Sequence, residues 1–336
     1  MRARAADPPA PARRGIPARE RPPGAPRPTH AAVNPALVLK LGAVGTLVGS
    51  AAYVHLRGRV RHSFLRQLTD HSTFLAPLNA LVYLASAVPG RPFLDLGDFP
   101  ALAPLQAHWR EIRDEALRLQ SEERIRAADG HVDAGFNSFF RRGWKRFYLK
   151  WYGEPLPSAR ARCPRTVELL EAIPGVRAAM FALLPPGGTL MEHRDPFAGS
   201  IRYHLGLVTP GSDACRIVVD GEPYAWHDGE AVLFDETYVH HAVNQTDRAR
   251  IILFCDVERP MRWRAAARLN RWLGDHLMRA SRTRNEDGEE IGWVNRAFSR
   301  VYQVRLVGKR LKAWNRPTYY AVKFALLGGL AWLLLA

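Results

Sequence analysis

Two stretches decide the fold: MEHRDPFAGSIRYHLGLV at 191–208 and AVLFDETYVHHAVNQTDRARIILFCDVERP at 231–260. Both contain short apolar runs bounded by turn-forming residues, which is typical of strands in antiparallel sheets. Asp220-Gly221, between the apolar runs 215–219 and 224–226, is a hairpin signal. The predicted strands are 178–184, 201–208, 215–219, 231–234 and 250–257. Many short strands at this spacing predict an α+β protein around a double-stranded β-helix, a jelly-roll or cupin-like barrel with flanking helices.

The same stretches contain a candidate metal site. His193 and Asp195 are two residues apart just after a predicted strand, and in extended chain such residues point to the same face. His240 follows 45 residues later at the end of another strand. Two imidazoles and a carboxylate on one face leave other coordination positions free, as in non-haem iron(II) oxygenases. His241 would point to the opposite face, and spacing alone does not choose between it and His240.

Arg250, ten residues after His240, extends this hypothesis to a cosubstrate. 2-Oxoglutarate chelates iron through its keto-acid end, and its distal carboxylate needs a planar, bidentate cation such as arginine. His204 is by default a core histidine, but its closeness to Arg202 also makes it a candidate for the cosubstrate pocket. A metal-dependent hydrolase is disfavoured because the sequence contains no HExxH motif.

The net charge of +16 points to an anionic partner: nucleic acid, anionic lipid or a phosphorylated substrate. Three scattered cysteines provide neither a CxxC pair nor a disulfide framework, which fits a reducing compartment. Residues 1–33 contain seven arginines and eight prolines, and they are predicted to be a disordered tail. Because the next methionine is Met180, a natural start after this tail, for instance at Val33, would need another codon.

Residues 34–56 are apolar over about the 20 residues that a transmembrane helix needs. Four arginines follow at once and predict that the C-terminal side of this helix faces the cytoplasm: Arg57, Arg59, Arg61 and Arg66. The arginines before the helix oppose that orientation. A cleaved signal peptide is the competing interpretation, although no small-x-small cleavage site is evident.

The C-terminal residues 319–336 are apolar and predict a second membrane segment, which either spans or lies at the interface. Between the two anchors, residues 74–88 are apolar but too short to span, and helices are predicted near 104–119 and 166–172. Residues 261–280 form a basic amphipathic helix, which suits a membrane surface or packing on the domain.

These motifs resemble the aspartyl/asparaginyl β-hydroxylase superfamily, with HRDP, RYHLGL, LFDETYVH and RIILFCDVERP in order. Within it, segments such as 66–84 and 135–152 resemble the bacterial lipid A hydroxylases. The resemblance covers roughly residues 53–260. It implies that His193, Asp195 and His240 bind Fe(II), and that Arg250, Arg202 and His204 bind 2-oxoglutarate.

The activity implied by the resemblance is hydroxylation of lipid A at C2 of a secondary acyl chain, with 2-oxoglutarate and O2 converted to succinate and CO2. Basic and aromatic residues of 136–151 are substrate candidates, chiefly Arg141, Arg142, Trp144 and Lys145. Nucleic acid is the rival ligand for such a stretch, but two apolar anchors argue against it. The alternatives are hydroxylation of Asp or Asn in a protein, and a membrane protein that binds glycolipid without turnover. No protein partner is predicted.

The predicted domain order is therefore a tail at 1–33, a transmembrane helix at 34–56, a membrane-proximal substrate region at 57–175, the dioxygenase core at 176–260, a basic helical region at 261–318 and a C-terminal membrane segment at 319–336. The resemblance implies the bacterial inner membrane, and the basic clusters that flank the two apolar ends predict that the catalytic domain faces the cytoplasm.

Overall fold

The computed structural model describes residues 34–127 and 133–335. The predicted tail at 1–33 and the last residue lie outside the described residues. The chain divides into a short unit, residues 1–41, and a large unit, residues 42–336. All elements from β1 to the C-terminal helices belong to the large unit, which contains the hydrophobic core.

Helix α1 (Pro35–Leu56) coincides with the predicted N-terminal membrane helix. Its length and composition are sufficient to cross a membrane, and only 11% of its apolar window is buried. No other helix within residues 34–127 and 133–335 is both long and apolar enough to cross a membrane by the same measure. The predicted C-terminal membrane segment falls on α12 (Arg316–Leu335), which is helical but does not meet that measure, so the segment stays a prediction.

Short helices follow α1. They are α2 (Phe64–Thr69), α3 (His71–Phe74), α4 (Ala76–Ala85), α5 (Ala103–Ala107), α6 (Trp109–Ser121), α7 (Asn137–Phe140), α8 (Pro157–Arg162) and α9 (Pro164–Glu171). The single helix predicted at 104–119 is broken at His108, whose backbone leaves the helical region with φ −101° and ψ 23°. Helices α10 (Arg264–Leu273) and α11 (Trp293–Trp314) come after the sheets.

The strands form two antiparallel sheets. The six-stranded sheet has the order β1-β8-β5-β10-β3-β2, and the four-stranded sheet has the order β4-β9-β6-β7. Their bounds are β1 (Phe93–Leu94), β2 (Lys145–Trp151), β3 (Val176–Leu184), β4 (Thr189–His193), β5 (Ser200–Val208), β6 (Cys215–Val219), β7 (Glu222–Ala225), β8 (Ala231–Phe234), β9 (His240–Asn244) and β10 (Arg250–Glu258).

The predicted hairpin joins β6 to β7. Asp220 and Gly221 both have positive φ, 51° and 87°, as a two-residue turn matched to the sheet twist requires. The prediction of a mixed fold with antiparallel sheets is confirmed, but the closed barrel is not. The described strands pair within two separate sheets, so the space between the sheets remains available for a cavity.

The two sheets line one cavity from opposite sides. His204 and Phe254 come from the six-stranded sheet, and Ile217 and His240 come from the four-stranded sheet. Helices α6 and α9 contact the six-stranded sheet at β5 and β3. Strands β3, β5 and β10 are therefore buried along nearly their whole length, which explains their almost continuous apolar sequence.

Candidate metal centre

Three side chains meet at one end of this cavity. His193 ends β4, Asp195 follows two residues later, and His240 begins β9 directly opposite His193 in the antiparallel register. One ligand atom from each residue lies within 4.8 Å of the other two. The Nε2 atom of His193 is 3.7 Å from Oδ1 of Asp195. The structure thus brings together the three residues that the sequence separates by up to 47 positions.

Both histidines are oriented by backbone carbonyls. Nδ1 of His193 lies 2.6 Å from the carbonyl oxygen of Met191, and Nδ1 of His240 lies 3.0 Å from that of Tyr238. A hydrogen on each Nδ1 leaves the Nε2 lone pair for a metal ion. Burial lowers the pKa of both imidazoles, that of His240 to about 3, so both are neutral and able to bind metal.

Asp195 is ionised and oriented by Arg202. Burial raises the pKa of Asp195, but Arg202 and the neighbouring imidazoles together lower it by more, and the pKa falls to about 2. Nη2 of Arg202 lies 2.6 Å from Oδ2 of Asp195, which leaves Oδ1 on the side of His193. The backbone amide of Asp195 also donates to the carbonyl oxygen of Glu236, at 2.9 Å.

Arg202 contacts two further carboxylates. Its guanidinium forms an ion pair with Glu236, and its Nε lies 3.0 Å from Oδ1 of Asp256. Burial raises the pKa of Glu236 well above its ordinary value and also raises that of Asp256. Arg202 therefore lies inside an acidic cluster beside the metal end. Glu236 and Asp256 were not singled out in the sequence; Glu236 lies in the LFDETYVH block, four residues before His240.

The other end of the cavity contains donors without acceptors. Arg250 is 2% exposed, its guanidinium lies 4.2 Å from the ring centroid of Trp226, and its Nε and Nη1 have no hydrogen-bond partner among the described residues. Both ring nitrogens of His204 and Nε1 of Trp226 likewise have no partner in the described part of the chain. Trp226 was predicted only as part of a hairpin strand.

Burial lowers the pKa of Arg250 to about 10, which keeps the guanidinium charged at neutral pH, and it lowers the pKa of His204 well below its ordinary value. An unpaired buried cation is costly, so this end calls for an anionic acceptor. A dicarboxylate that reaches from the triad to Arg250 would satisfy these donors. The three metal-ligand side chains at one end, and the guanidinium of Arg250 without a partner among the described residues at the other, therefore fit iron(II) and 2-oxoglutarate.

His241 is excluded from this cluster. It pairs with Val218 of β6, is half-buried and does not line the cavity, whereas His240 does. The alternation of side chains along β9 explains the difference, because adjacent residues point to opposite faces.

The predicted substrate residues divide into two groups. Trp144 is 2% exposed, lines the cavity and stacks on Phe136 with ring centroids 4.9 Å apart. Arg141 and Arg142 are exposed and line a second pocket with Ser138, Phe139 and Met191. Phe139 lines both pockets, and its ring centroid is 4.8 Å from that of His193. Lys145 is exposed at the start of β2 and lines neither of these two pockets.

This part of the chain is similar in sequence to known proteins. Residues 106–260 match the model of the aspartyl/asparaginyl beta-hydroxylase family. An ornithine lipid ester-linked acyl 2-hydroxylase of Rhizobium tropici is 35% identical over 184 residues, which are 54% of this chain and 64% of that protein. The aspartyl/asparaginyl beta-hydroxylase of Homo sapiens is 29% identical over 161 residues, 46% of this chain and 21% of that protein.

Among solved structures, a Pseudomonas putida prolyl-4-hydroxylase matches with a TM-score of 0.31 and 21% identity, covering 45% of this chain and 86% of that one. A TM-score this low supports no conclusion about this chain. The chain covers less than two thirds of the length of the two relatives named above. The family match includes every residue of the triad as well as Arg250. Over residues 106–260, slightly less than half of the chain, the sequence is therefore similar to the aspartyl/asparaginyl β-hydroxylase family.

Proposed function

We propose that this chain is a membrane-anchored, iron(II)- and 2-oxoglutarate-dependent hydroxylase that adds a hydroxyl group at C2 of an acyl chain of a membrane lipid. One observation carries the proposal: His193, Asp195 and His240 converge within 4.8 Å, and the guanidinium of Arg250, unpaired among the described residues, lines the same cavity. A metal-binding end and an anion-binding end in one buried space suit a keto acid that bridges them.

In this proposal, His193, Asp195 and His240 hold the iron, and Arg250 pairs with the distal carboxylate of 2-oxoglutarate. Bound iron supplies the activation of O2 that couples decarboxylation of the keto acid to hydroxylation of a C–H bond. His204 and Trp226 contribute donors beside Arg250. The apolar walls, among them Phe136, Phe139 and Trp144, exclude water and receive the acyl chain.

The role proposed for Arg202 differs from the binding of 2-oxoglutarate that the resemblance implies. Its guanidinium already contacts Asp195, Glu236 and Asp256, so its contacts favour positioning of the carboxylate ligand over binding of 2-oxoglutarate. Such a partner fixes which oxygen of Asp195 faces the metal and keeps that carboxylate ionised.

The lipid head group would meet the second pocket. Arg141 and Arg142 are exposed there beside Phe139, which lines the cavity, so the two cations suit an anionic group whose attached chain enters toward His193. Lipid A, with its phosphates, is the first candidate substrate. The Rhizobium tropici relative, which acts on ornithine lipid, makes that lipid the second candidate.

The proposed location is a bacterial inner membrane, with α1 as an anchor and the two sheets with their cavity on the cytoplasmic side. Arg57, Arg59 and Arg61 directly follow α1, and such clusters favour the cytoplasmic face. The C-terminal helix is proposed as a second membrane contact.

The test is mass spectrometry of lipids from cells that express either the chain or its His193→Ala variant. We expect one added oxygen on an acyl chain of lipid A or ornithine lipid, and none with the variant. The two lipid fractions, analysed separately, distinguish the candidates. Iron-dependent succinate formation without any modified lipid would instead favour a protein substrate, and the absence of succinate would refute the enzyme.

A further inference from the structure

Helices α2 to α4 have inverted polarity. Six large apolar side chains on them are 51–77% exposed: Phe64, Leu65, Leu68, Phe74, Leu81 and Leu84. Three polar side chains on the same helices, Gln67, Ser72 and Asn79, are no more than 6% exposed. A helix that packs on a domain in water shows the opposite arrangement, with its apolar face buried.

The buried polar groups have protein partners, so the inversion is built into the fold. Nε2 of Gln67 donates to the hydroxyl groups of Ser72 and Thr73, at 3.1 and 2.8 Å. Nδ2 of Asn79 donates to the carbonyl oxygen of Pro196, and Oδ1 of Asn79 accepts from the amide of Ala198, each at 3.0 Å. These bonds fix the helices with their apolar side chains outward.

The charge around these side chains selects the environment that covers them. Residues 42–94 contain five arginines, no lysine and a single carboxylate, Asp70. Arg59, Arg61 and Arg66 are exposed. An apolar surface bordered by cations is complementary to an anionic lipid leaflet, in which apolar groups reach the acyl chains and arginines meet phosphates.

The surface continues from α1. Helix α2 begins eight residues after α1 ends, and Nδ1 of His55 lies 3.3 Å from Oε1 of Gln67. Because α1 is long and apolar enough to cross a membrane, its C-terminal end brings α2 to the membrane boundary.

The same segment is tied to the metal ligands. Nε2 of His71 lies 2.8 Å from the carbonyl oxygen of Arg194, the residue between His193 and Asp195. Nη1 of Arg194 donates to the carbonyl oxygen of Val54 in the last turns of α1, also at 2.8 Å. The strand that carries His193 is therefore fixed directly to the surface that α1 and α2 form.

A second connection reaches the loop before His240. Arg57 donates to Oγ1 of Thr237 at 2.6 Å and pairs with Asp235 at 2.5 Å. Its guanidinium lies between the rings of Tyr83 on α4 and Tyr238, at 4.0 and 4.1 Å from their centroids. Both segments that supply metal ligands thus contact the α1–α4 region.

Helix α10 repeats the inversion beside α4. Asn270 is 4% exposed and its Nδ2 donates to the carbonyl oxygen of Gly199 at 2.9 Å, whereas Trp263, Leu269 and Trp272 are 55–59% exposed. The amide of Arg262, just before α10, donates to the carbonyl oxygen of Ala85 at the end of α4. The predicted basic helix therefore directs its apolar side chains outward as well.

We infer that α2, α3 and α4 lie in the boundary between head groups and acyl chains of an anionic bilayer, and that they hold the cavity at the membrane so that an acyl chain enters without crossing water. The entry route rests on the proposed function, whereas the membrane surface does not. The proposed entrance adjoins this surface, because Arg66 contacts the carbonyl oxygen of Glu192 next to Met191 of the second pocket.

The first test measures depth in the bilayer with spin labels on the full chain. All three native cysteines are buried, so single cysteines can be labelled selectively. The variants are Leu68→Cys and Leu81→Cys on the surface, with Ser121→Cys, exposed at the end of α6, as the control. In vesicles of phosphatidylcholine and phosphatidylglycerol, we expect the labels at 68 and 81 to be accessible to O2 and shielded from a water-soluble nickel complex.

The label at 121 should show the reverse. Labels at 68 and 81 that the nickel complex reaches would overturn the inference, because the surface would then be in water. Labels shielded from both reagents would overturn it too, since they would indicate a protein contact such as a second copy of the chain. This test does not depend on enzymatic activity, so it remains decisive if the proposed hydroxylation fails.

The second test addresses the entry route. The double variant Leu65→Gln/Leu68→Gln should reduce turnover of lipid in vesicles by roughly tenfold or more, because it removes two apolar side chains whose burial among acyl chains would stabilise the membrane-bound state. Succinate formation without lipid should stay unchanged, since neither residue lines the cavity. Leu117→Gln, 39% exposed on α6, is the matched control and should behave like the wild type. Wild-type turnover by the double variant would refute the route.

Discussion

The two ends of the cavity differ in how their polar groups are satisfied. At the metal end, backbone carbonyls orient His193 and His240, and Arg202 holds Asp195. At the other end, Arg250 and His204 present nitrogen atoms without a partner in the described chain. The first end is preorganised by the protein itself, whereas in the proposed function an acceptor from outside completes the second. Under that proposal, this asymmetry would make the cosubstrate bind in a fixed direction.

Removing a triad residue should have the largest effect. His193→Ala deletes one of three ligands, so metal affinity should fall by more than the roughly 10–100-fold that is typical for loss of an outer partner. Titration with Fe(II) or Co(II) measures affinity, and succinate formation should fall below detection. Wild-type metal affinity in this variant would mean that the triad is not the metal site.

Changes at Arg250 should affect the cosubstrate and leave the metal in place. A hydrogen bond to a charged group contributes about 1.5–3 kcal/mol, so Arg250→Met should raise the KM for 2-oxoglutarate on the order of 10–100-fold. Arg250→Lys keeps the charge but loses the bidentate geometry, so its KM should lie between those of Arg250→Met and the wild type. Equal weakening of metal and 2-oxoglutarate binding would contradict the assignment of metal binding to one end of the cavity and cosubstrate binding to the other.

Substitution of Arg202 tests whether this residue acts at the metal end or at the cosubstrate end of the cavity. If it positions Asp195, Arg202→Lys should weaken metal binding by roughly tenfold and change the KM for 2-oxoglutarate less. The comparison requires metal titration and succinate kinetics on the same preparation. A raised KM with unchanged metal affinity would restore the cosubstrate role that the resemblance implied.

The smallest effect is expected at His241, beside a metal ligand but on the opposite face of β9. His241→Ala should leave metal affinity and turnover near wild type, with a stability change within about 0.5 kcal/mol. Thermal unfolding and metal titration measure both. A loss of metal as large as in His193→Ala would require a different register for β9.

The strands were predictable because their signals are local. Strands β6 and β8 have the predicted bounds, and the hairpin between β6 and β7 follows from Asp220-Gly221. The acidic cluster was not predictable, because Glu236 and Asp256 are 34 and 54 residues after Arg202. Asp256 meets Arg202 across paired strands, and Glu236 meets it from the turn after β8. The order in which the strands pair within the two sheets likewise depends on long-range contacts.

The sequence alone determined the types of ligand, the antiparallel architecture and the apolar N-terminal helix, because residue chemistry, alternation and apolar length are local properties. The tertiary structure decided that His240 rather than His241 joins the triad, that Arg202 contacts Asp195, and that α2–α4 direct apolar side chains outward. Those outcomes depend on which groups from distant segments share a buried space, where each polar atom needs a partner, and local sequence does not specify that.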